Sequence, residues 1–267
     1  MCQEQGVVTS LEELWPAAFL LGVRAPQIAV PARPGQYVML RCGEGHQFTL
    51  RRPLSVHRVS ENRDELAFLF SAAGAGTEWL SRRRRGDALD LFGPLGKGFD
   101  IRPRSRNLLL VAGGMGIAPL VFLSGEAVSA GLSVELLMGC ATAAGAYPRG
   151  LLPSGVRLRI TTEDCSLGEG GMATDLLPAS LPTADQIFAC GPLAMYRSMA
   201  GMGRQFGGRS VQVSVETVLG CGVGACLGCS IETRQGRKLV CKDGPVFELK
   251  DILWDKIVEP SRRKAPG

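Results

Sequence analysis

Apolar and polar positions follow two periods along the chain, and the change between them divides it. Over the first hundred residues the apolar runs are short. They are Ala17–Ala25, Gln36–Arg41, Leu54–Val59, Leu66–Ser71 and Ala88–Leu91. Pro31, Pro34-Gly35, Asn62 and Gly86-Asp87 punctuate them. Closely spaced strands with turn residues between them predict a small antiparallel β-barrel or sandwich. One short helix is predicted over Gly76–Arg84, with Trp79 and Leu80 turned inward.

The period changes near Arg102–Arg106. Asn107–Ala112 is a continuous apolar run, as expected of a strand buried on both faces. Gly113–Gly116 reads as a turn, Ile117–Ala130 as a helix and Ser133–Met138 as the next strand. Strands Val156–Thr161 and Gln186–Cys190 alternate with helices Met172–Leu177 and Leu193–Gly203. Such alternation predicts an α/β doubly wound parallel sheet. From Val211 the pattern shifts again. A strand, Val211–Val215, precedes a loop of Gly and Cys from Gly220 to Cys229, and Ser230–Thr233 pairs with Lys238–Cys241. Glu259–Gly267 is expected to fray. The fold class is therefore multidomain, with expected boundaries at 1–102, 103–209 and 210–267, the last segment small and β-rich.

Composition sharpens this picture. Of 267 residues 45% are apolar and 21% charged, which suits a globular chain and not a disordered one. Gly is in excess, with 35 residues, which implies many tight turns or backbone held close to ligands. There are nine Cys but only two His, His46 and His57. His-rich metal sites and most His-based catalysis are thereby excluded, and thiolate chemistry moves forward. A net charge of +5 does not call for nucleic acid. The uncharged run Asn107–Gly125 is long enough to raise the question of a membrane span. Gly113, Gly114, Gly116, Pro119 and Gly125 interrupt it, so a strand, a turn and a helix start explain it better. No Lys or Arg precedes the apolar stretch Trp15–Val23, so no leader is read there. A cytoplasmic protein with reduced Cys is expected, in which metal or redox roles outrank disulfides.

Cys221, Cys226 and Cys229 are spaced C-x4-C-x2-C, and Cys241 follows after eleven residues. The first three match the plant-type [2Fe–2S] spacing. Gly220, Gly222, Gly224, Ala225 and Gly228 leave room for backbone amides to point at sulfur. A structural zinc site also uses four Cys, although usually as two paired knuckles. Elsewhere, a strand running into Gly113-Gly114-Met115-Gly116 would offer helix N–H groups to a pyrophosphate. Cys190-Gly191-Pro192 ends another strand at the same sheet edge. Arg52-Pro53-Leu54-Ser55 could clamp a phosphate and meet a ring edge. Gly74-Ala75-Gly76-Thr77 opens the short helix and offers another anion site. Each of these also reads as an ordinary turn or cap.

Their order along the chain resembles the ferredoxin–NADP reductase superfamily. The C-terminal cysteines, with Thr162-Glu163-Asp164, Gly93-Pro94-Leu95-Gly96 and Cys241-Lys242-Asp243-Gly244-Pro245-Val246-Phe247, narrow the resemblance to the electron-transfer subunits of type B, NAD-dependent dihydroorotate dehydrogenases. It covers about Ala17 to Trp254. The resemblance implies FAD on the barrel, NAD on the α/β unit and a [2Fe–2S] cluster on Cys221, Cys226, Cys229 and Cys241. FAD would contact Arg52, Pro53, Leu54, Ser55, Leu69, Phe70, Ser71, Gly76 and Thr77. NAD would meet Gly113, Gly114, Gly116, Cys190, Gly191 and Pro192. The implied partner is a catalytic subunit carrying FMN, in a heterotetramer of pyrimidine biosynthesis, with no nucleic acid and no membrane. Electrons would pass from that FMN through the cluster and FAD to NAD+.

The loop Gly139–Gly150 departs from the pattern, because it holds no acidic residue for the 2′-OH of an adenosine ribose. NAD over NADP therefore rests on the resemblance. The alternatives are the small subunit of a sulfide dehydrogenase, or of an NADH-dependent ferredoxin–NADP oxidoreductase, and a zinc-stabilised interaction module. No acid–base catalyst is expected. Cys190 is expected at the nicotinamide edge, and Cys2, Cys42, Cys140 and Cys165 as small hydrophobes or incidental thiols. Arg82–Arg85 reads as a solvated helix end, with partner docking as the rival, and His57 as a structural histidine.

Overall fold

A computed structural model describes residues 1–43, 45 and 47–257. His46 and the tail Glu259–Gly267 lie outside the described residues.

The first unit is a sheet of seven antiparallel strands. They are β1 (Cys2–Trp15), β2 (Ala18–Arg24), β3 (Tyr37–Leu40), β4 (Arg52–Ser55), β5 (Arg58–Val59), β6 (Glu65–Ser71) and β7 (Ala88–Leu95), with short helices α1 (Pro26–Ala29) and α2 (Ala75–Leu80) between them. The spatial order is β4-β3-β7-β1-β2-β6-β5. The expected barrel takes the form of a curled half-barrel with β4 and β5 at its edges. Alternate side chains fill its concave face, among them Leu21, Val23, Val38, Leu40, Leu66, Phe68, Leu89 and Leu91. Burying each such side chain fully contributes about 1.5–3 kcal/mol. The predicted strand Leu54–Val59 is broken in two, because Val56 and His57 leave the ladder and are fully buried.

The second unit carries β8 (Asn107–Gly113), α3 (Ile117–Ser129), β9 (Ser133–Cys140), β10 (Val156–Thr162), β11 (Glu169–Gly170), α4 (Leu177–Ser180), β12 (Gln186–Cys190), α5 (Leu193–Gly201) and β13 (Val211–Ser214). The predicted helix Met172–Leu177 is a 3₁₀ turn, Ala173–Leu176, running into α4. β14 (Ser230–Thr233) and β15 (Gly236–Leu239) form the expected hairpin, but Cys241 leaves it for a single helical turn, α6 (Val240–Asp243), before β16 (Val246–Glu248). The large sheet runs β11-β10-β9-β8-β12-β13-β16, parallel except for β16.

Chain direction across this sheet reverses at β8. From β8 the strands step outward through β9 to β10, then return to the other side of β8 with β12 and β13. The crevice above the β8/β12 pair is therefore the topological switch point, where ligands of open α/β sheets bind. Both faces are covered. Leu108, Leu110 and Ala112 meet α3, while Leu109 and Val111 share a core with Leu177, Met195 and Tyr196. That second core also takes in Tyr37, Met39 and Leu95 of the half-barrel and Cys229, Val240, Cys241 and Trp254 of the C-terminal segment.

Candidate functional site

Three groups of residues converge between the two units. A cavity of about 330 Å³ opens beside β4 and β6. Pro53, Leu54, Ser55, Leu69, Phe70, Ser71 and Thr77 line it, all named from sequence as flavin contacts. β4 and the end of β6 deliver them, and the short helix α2 adds Thr77. The other two candidates lie against each other. A Cβ added at Gly76 would stand 2.6 Å from Arg52 Nε, so glycine lets the guanidinium settle over the helix start. Thr77 closes the turn that opens α2, its hydroxyl accepting from the N–H groups of Ala73 and Gly74 at 3.1 and 3.2 Å. The opposite wall holds residues that sequence reading missed: Tyr37, Met115, Ala118, Glu216, Thr217, Leu219 and Val240. They come from four separate stretches of chain, so no single local motif marks them.

The two dinucleotide motifs meet at the switch point. An added Cβ on Gly116 would lie 1.9 Å from the Cys190 carbonyl oxygen, and one on Gly113 would lie 2.6 Å from Pro192 Cδ. Cys190 itself is fully buried beneath the turn. Burial first, and then the charge of Glu216, push its thiol far above the usual range, so it stays protonated at neutral pH. Tyr196 fixes this corner, accepting from Gly191 N–H at 3.0 Å and donating to the Ser214 carbonyl at 2.5 Å.

Two acidic residues just after β10 lie beside the loop that follows β9. The N–H groups of Glu163 and Asp164 donate to the carbonyls of Cys140 and Ala141 at 3.1 and 3.2 Å. That pins the backbone of both residues at the end of β9. The Cys140 thiol registers them: burial raises its pKa most, then Asp164 and Glu163.

The cysteine loop sits on the half-barrel, with Gly222 against Leu95 and Met39. Its four thiols fall into two pairs. The N–H groups of Val223, Ala225 and Cys226 approach Cys221 Sγ at 3.5, 3.3 and 3.4 Å. These donors, that of Cys226 foremost, pull the Cys221 thiol down to about 6, the behaviour of a ready thiolate ligand. Cys229 and Cys241 form the buried pair, with Cys241 N–H 3.5 Å from Cys229 Sγ. Burial, and then Cys229 beside it, push the Cys241 thiol up to about 12. Among the described residues no three His, Cys, Asp or Glu gather as a single metal ion would require. Two thiol pairs lined with amides suit a group carrying two irons, which takes four thiolates.

His57 is the satisfied structural histidine that the sequence predicts. Its Nδ1–H donates to the Ala118 carbonyl at 2.9 Å and its Nε2 accepts from the Tyr147 hydroxyl at 2.9 Å. Cys42 and Cys140 are buried, Cys2 half-buried and Cys165 exposed. Arg83, in the basic run, lies 3.8 Å over the Trp79 ring and 3.5 Å from Asp87.

A half-barrel with a pocket, joined to a doubly wound sheet with an open switch point, is the architecture of the ferredoxin–NADP reductase-like oxidoreductases. The fold agrees with a ferredoxin NADP+ reductase from Neisseria gonorrhoeae at a TM-score of 0.65 and 18% identity, over 77% of this chain and 92% of that one. Agreement is closer with the structure of an NADH-dependent reduced ferredoxin-NADP oxidoreductase: TM-score 0.84 and 27% identity over 94% of this chain and 90% of that one.

A model of the iron–sulfur cluster binding domain of dihydroorotate dehydrogenase B matches residues 216–253. The electron transfer subunit of dihydroorotate dehydrogenase B (NAD(+)) of Desulforamulus reducens is 35% identical over 247 residues, 90% of this chain and 94% of the relative. That of Shouchella clausii is 30% identical over 95% of this chain and its whole length. This chain belongs to that family, the electron transfer subunits of dihydroorotate dehydrogenase B. It is a subunit of an oxidoreductase, with FAD, an iron–sulfur cluster and NAD as its cofactors.

Proposed function

We propose that the chain takes electrons from an FMN on a catalytic dihydroorotate dehydrogenase subunit and delivers them to NAD+, within a heterotetramer. Cys221, Cys226, Cys229 and Cys241 hold the cluster. Arg52, Pro53, Leu54, Ser55, Leu69, Phe70, Ser71, Gly76 and Thr77 hold FAD. Gly113, Gly114, Gly191 and Pro192 face the dinucleotide, over Gly116 and Cys190 buried beneath them. When bound, the flavin exchanges a hydride with the nicotinamide and single electrons with the cluster.

The chain's own part is placement. Leu54 and Phe70 shield the pocket from water, and Arg52 offers a charge for phosphate. The Gly113–Gly116 turn lets a dinucleotide approach the switch point. Glu163 and Asp164, at the end of β9, favour a free ribose 2′-OH over a 2′-phosphate. The functional segments follow the boundaries 1–102, 103–209 and 210–267. Among the described residues no helix is long and apolar enough to cross a membrane. Val218, Val223 and Leu227, all exposed, surround the outer thiol pair and form the docking face for the catalytic subunit.

One observation carries this reading: seven of the nine flavin candidates line one cavity whose far wall, Leu219 and Val240, borders the cysteine segment. Cofactor analysis of the purified chain tests it. FAD, iron and sulfide are expected together, and Cys221→Ser should lose the cluster and electron exchange with the catalytic subunit while keeping its FAD. A colourless chain from cells that fully load other flavin and iron–sulfur proteins would sink the proposal.

A further inference from the structure

One residue touches both the cavity and the cysteine segment. Tyr37 lies on β3, paired with Ser55 of β4 and Leu95 of β7, so its backbone is pinned from both sides. It is 3% exposed and lines the cavity. Its hydroxyl lies 3.3 Å from the carbonyl oxygen of Cys241 and 3.4 Å from that of Gly222. These carbonyls belong to one thiol-bearing residue and to the neighbour of another, Cys221. A phenol has one hydrogen, so the two oxygens share it. Met39 and Leu95 meet the loop at Gly222 through apolar atoms. The Tyr37 hydroxyl adds a directed bond to that contact, reaching both the loop and α6.

We propose that Tyr37 is a positioning residue for electron exchange between flavin and cluster: its ring walls the flavin cavity while its hydroxyl ties the cluster-bearing segments to that wall. The inference rests on the reading above, that FAD fills the cavity and the cluster sits on the four cysteines. Two effects follow. The bond holds Cys241 and Gly222 at a set distance from the cavity, and one-electron transfer between the two groups depends on that distance. The O–H dipole also offsets two carbonyl oxygens beside the thiolates. Hydrogen-bond donors around a cluster stabilise its reduced, more negative form. One electron crosses at a time, and no bond or proton at Tyr37 changes.

The experiment compares wild-type holoprotein with Tyr37→Phe, which keeps the ring and removes the donor. FAD, iron and sulfide contents come first, because wild-type protein lacking them defeats the underlying reading and not this inference. With both proteins loaded, a redox titration followed by electron paramagnetic resonance reads the cluster potential. Tyr37→Phe should shift it to more negative values. In rapid mixing with NADH, cluster reduction should lag flavin reduction by more than in wild type. An unchanged potential with an unchanged lag overturns the proposal.

Should Tyr37→Phe fail to load, site-specific 3-fluorotyrosine at position 37 keeps the hydroxyl and strengthens it as a donor. The potential should then move to more positive values, and no movement overturns the proposal equally.

Discussion

At Gly116 a single hydrogen in place of a methyl group decides whether two strand ends can meet. The Cys190 carbonyl occupies the space a Cβ would take, and backbone cannot swing aside as a side chain does. Gly116→Ala must push β8 and β12 apart at the switch point. Overpacking of this kind costs about 1–3 kcal/mol. Gly150 is the control, since an added Cβ there meets nothing within 4 Å. Gly150→Ala is expected to stay within about 0.5 kcal/mol of wild type. Urea unfolding measures both, and equal midpoints for the two variants would refute the account. Gly116 has a packing reason to be glycine, and the same close approach is what a bound pyrophosphate would need.

The break between β4 and β5 links the two units. His57 sits in it, bonded on one side to the start of α3 and on the other to Tyr147, which follows β9. Burial lowers its pKa from 6.5 to about 4, against the smaller opposing effect of the Ala118 bond. The neutral ring is thus favoured in the fold, and between those two values the unfolded chain binds more protons. Stability must then rise with pH across that window and fall as pH drops from 6.5 toward 4. At about 1.4 kcal/mol per pH unit, the loss is on the order of 3 kcal/mol. His57→Gln, which keeps a donor and an acceptor, should flatten this part of the profile. Identical pH dependence of the urea midpoint in the two proteins would refute it.

At this scale much of the fold was legible and some was not. β8 and β12 announced themselves because both their faces are buried and their apolar runs are unbroken. β1, the longest strand, was missed because only Gly6 and Val8 of its fourteen residues are buried. The break at His57 was hidden because Val56 and His57 are apolar or aromatic like the strands around them. Among site residues, those within R-P-L-S, G-G-x-G and C-x4-C-x2-C could be read as motifs. Tyr37, Glu216 and the pinning of Glu163 and Asp164 could not, since each depends on which distant strand ends lie side by side.

For the molecule as a whole, the C-terminal segment is continuous with the rest. Its β16 extends the central sheet, and Trp254 stacks on Tyr196 at 5.0 Å. Cys229 and Cys241 lie inside a core shared with the half-barrel, whereas Cys226 is exposed. The thiol loop therefore has an inner end toward the cavity and an outer end toward solvent. Leu227 stands at the outer end, 59% exposed, with φ of +60°. Left-handed backbone costs a residue such as Leu about 1 kcal/mol, and asparagine tolerates it better. Neither the backbone nor the core of this chain is served by a leucine there, so the proposed docking face gives it a use that can be tested. Leu227→Asn is accordingly expected to unfold at the same urea concentration as wild type or a higher one. It should nevertheless bind the catalytic subunit more weakly, by about tenfold or more for the loss of a buried leucine contact. Sedimentation of the reconstituted assembly measures the second effect and urea unfolding the first. Undiminished assembly in Leu227→Asn, with the apolar neighbours Val218 and Val223 also changed to Asn, would move the docking face elsewhere on the molecule.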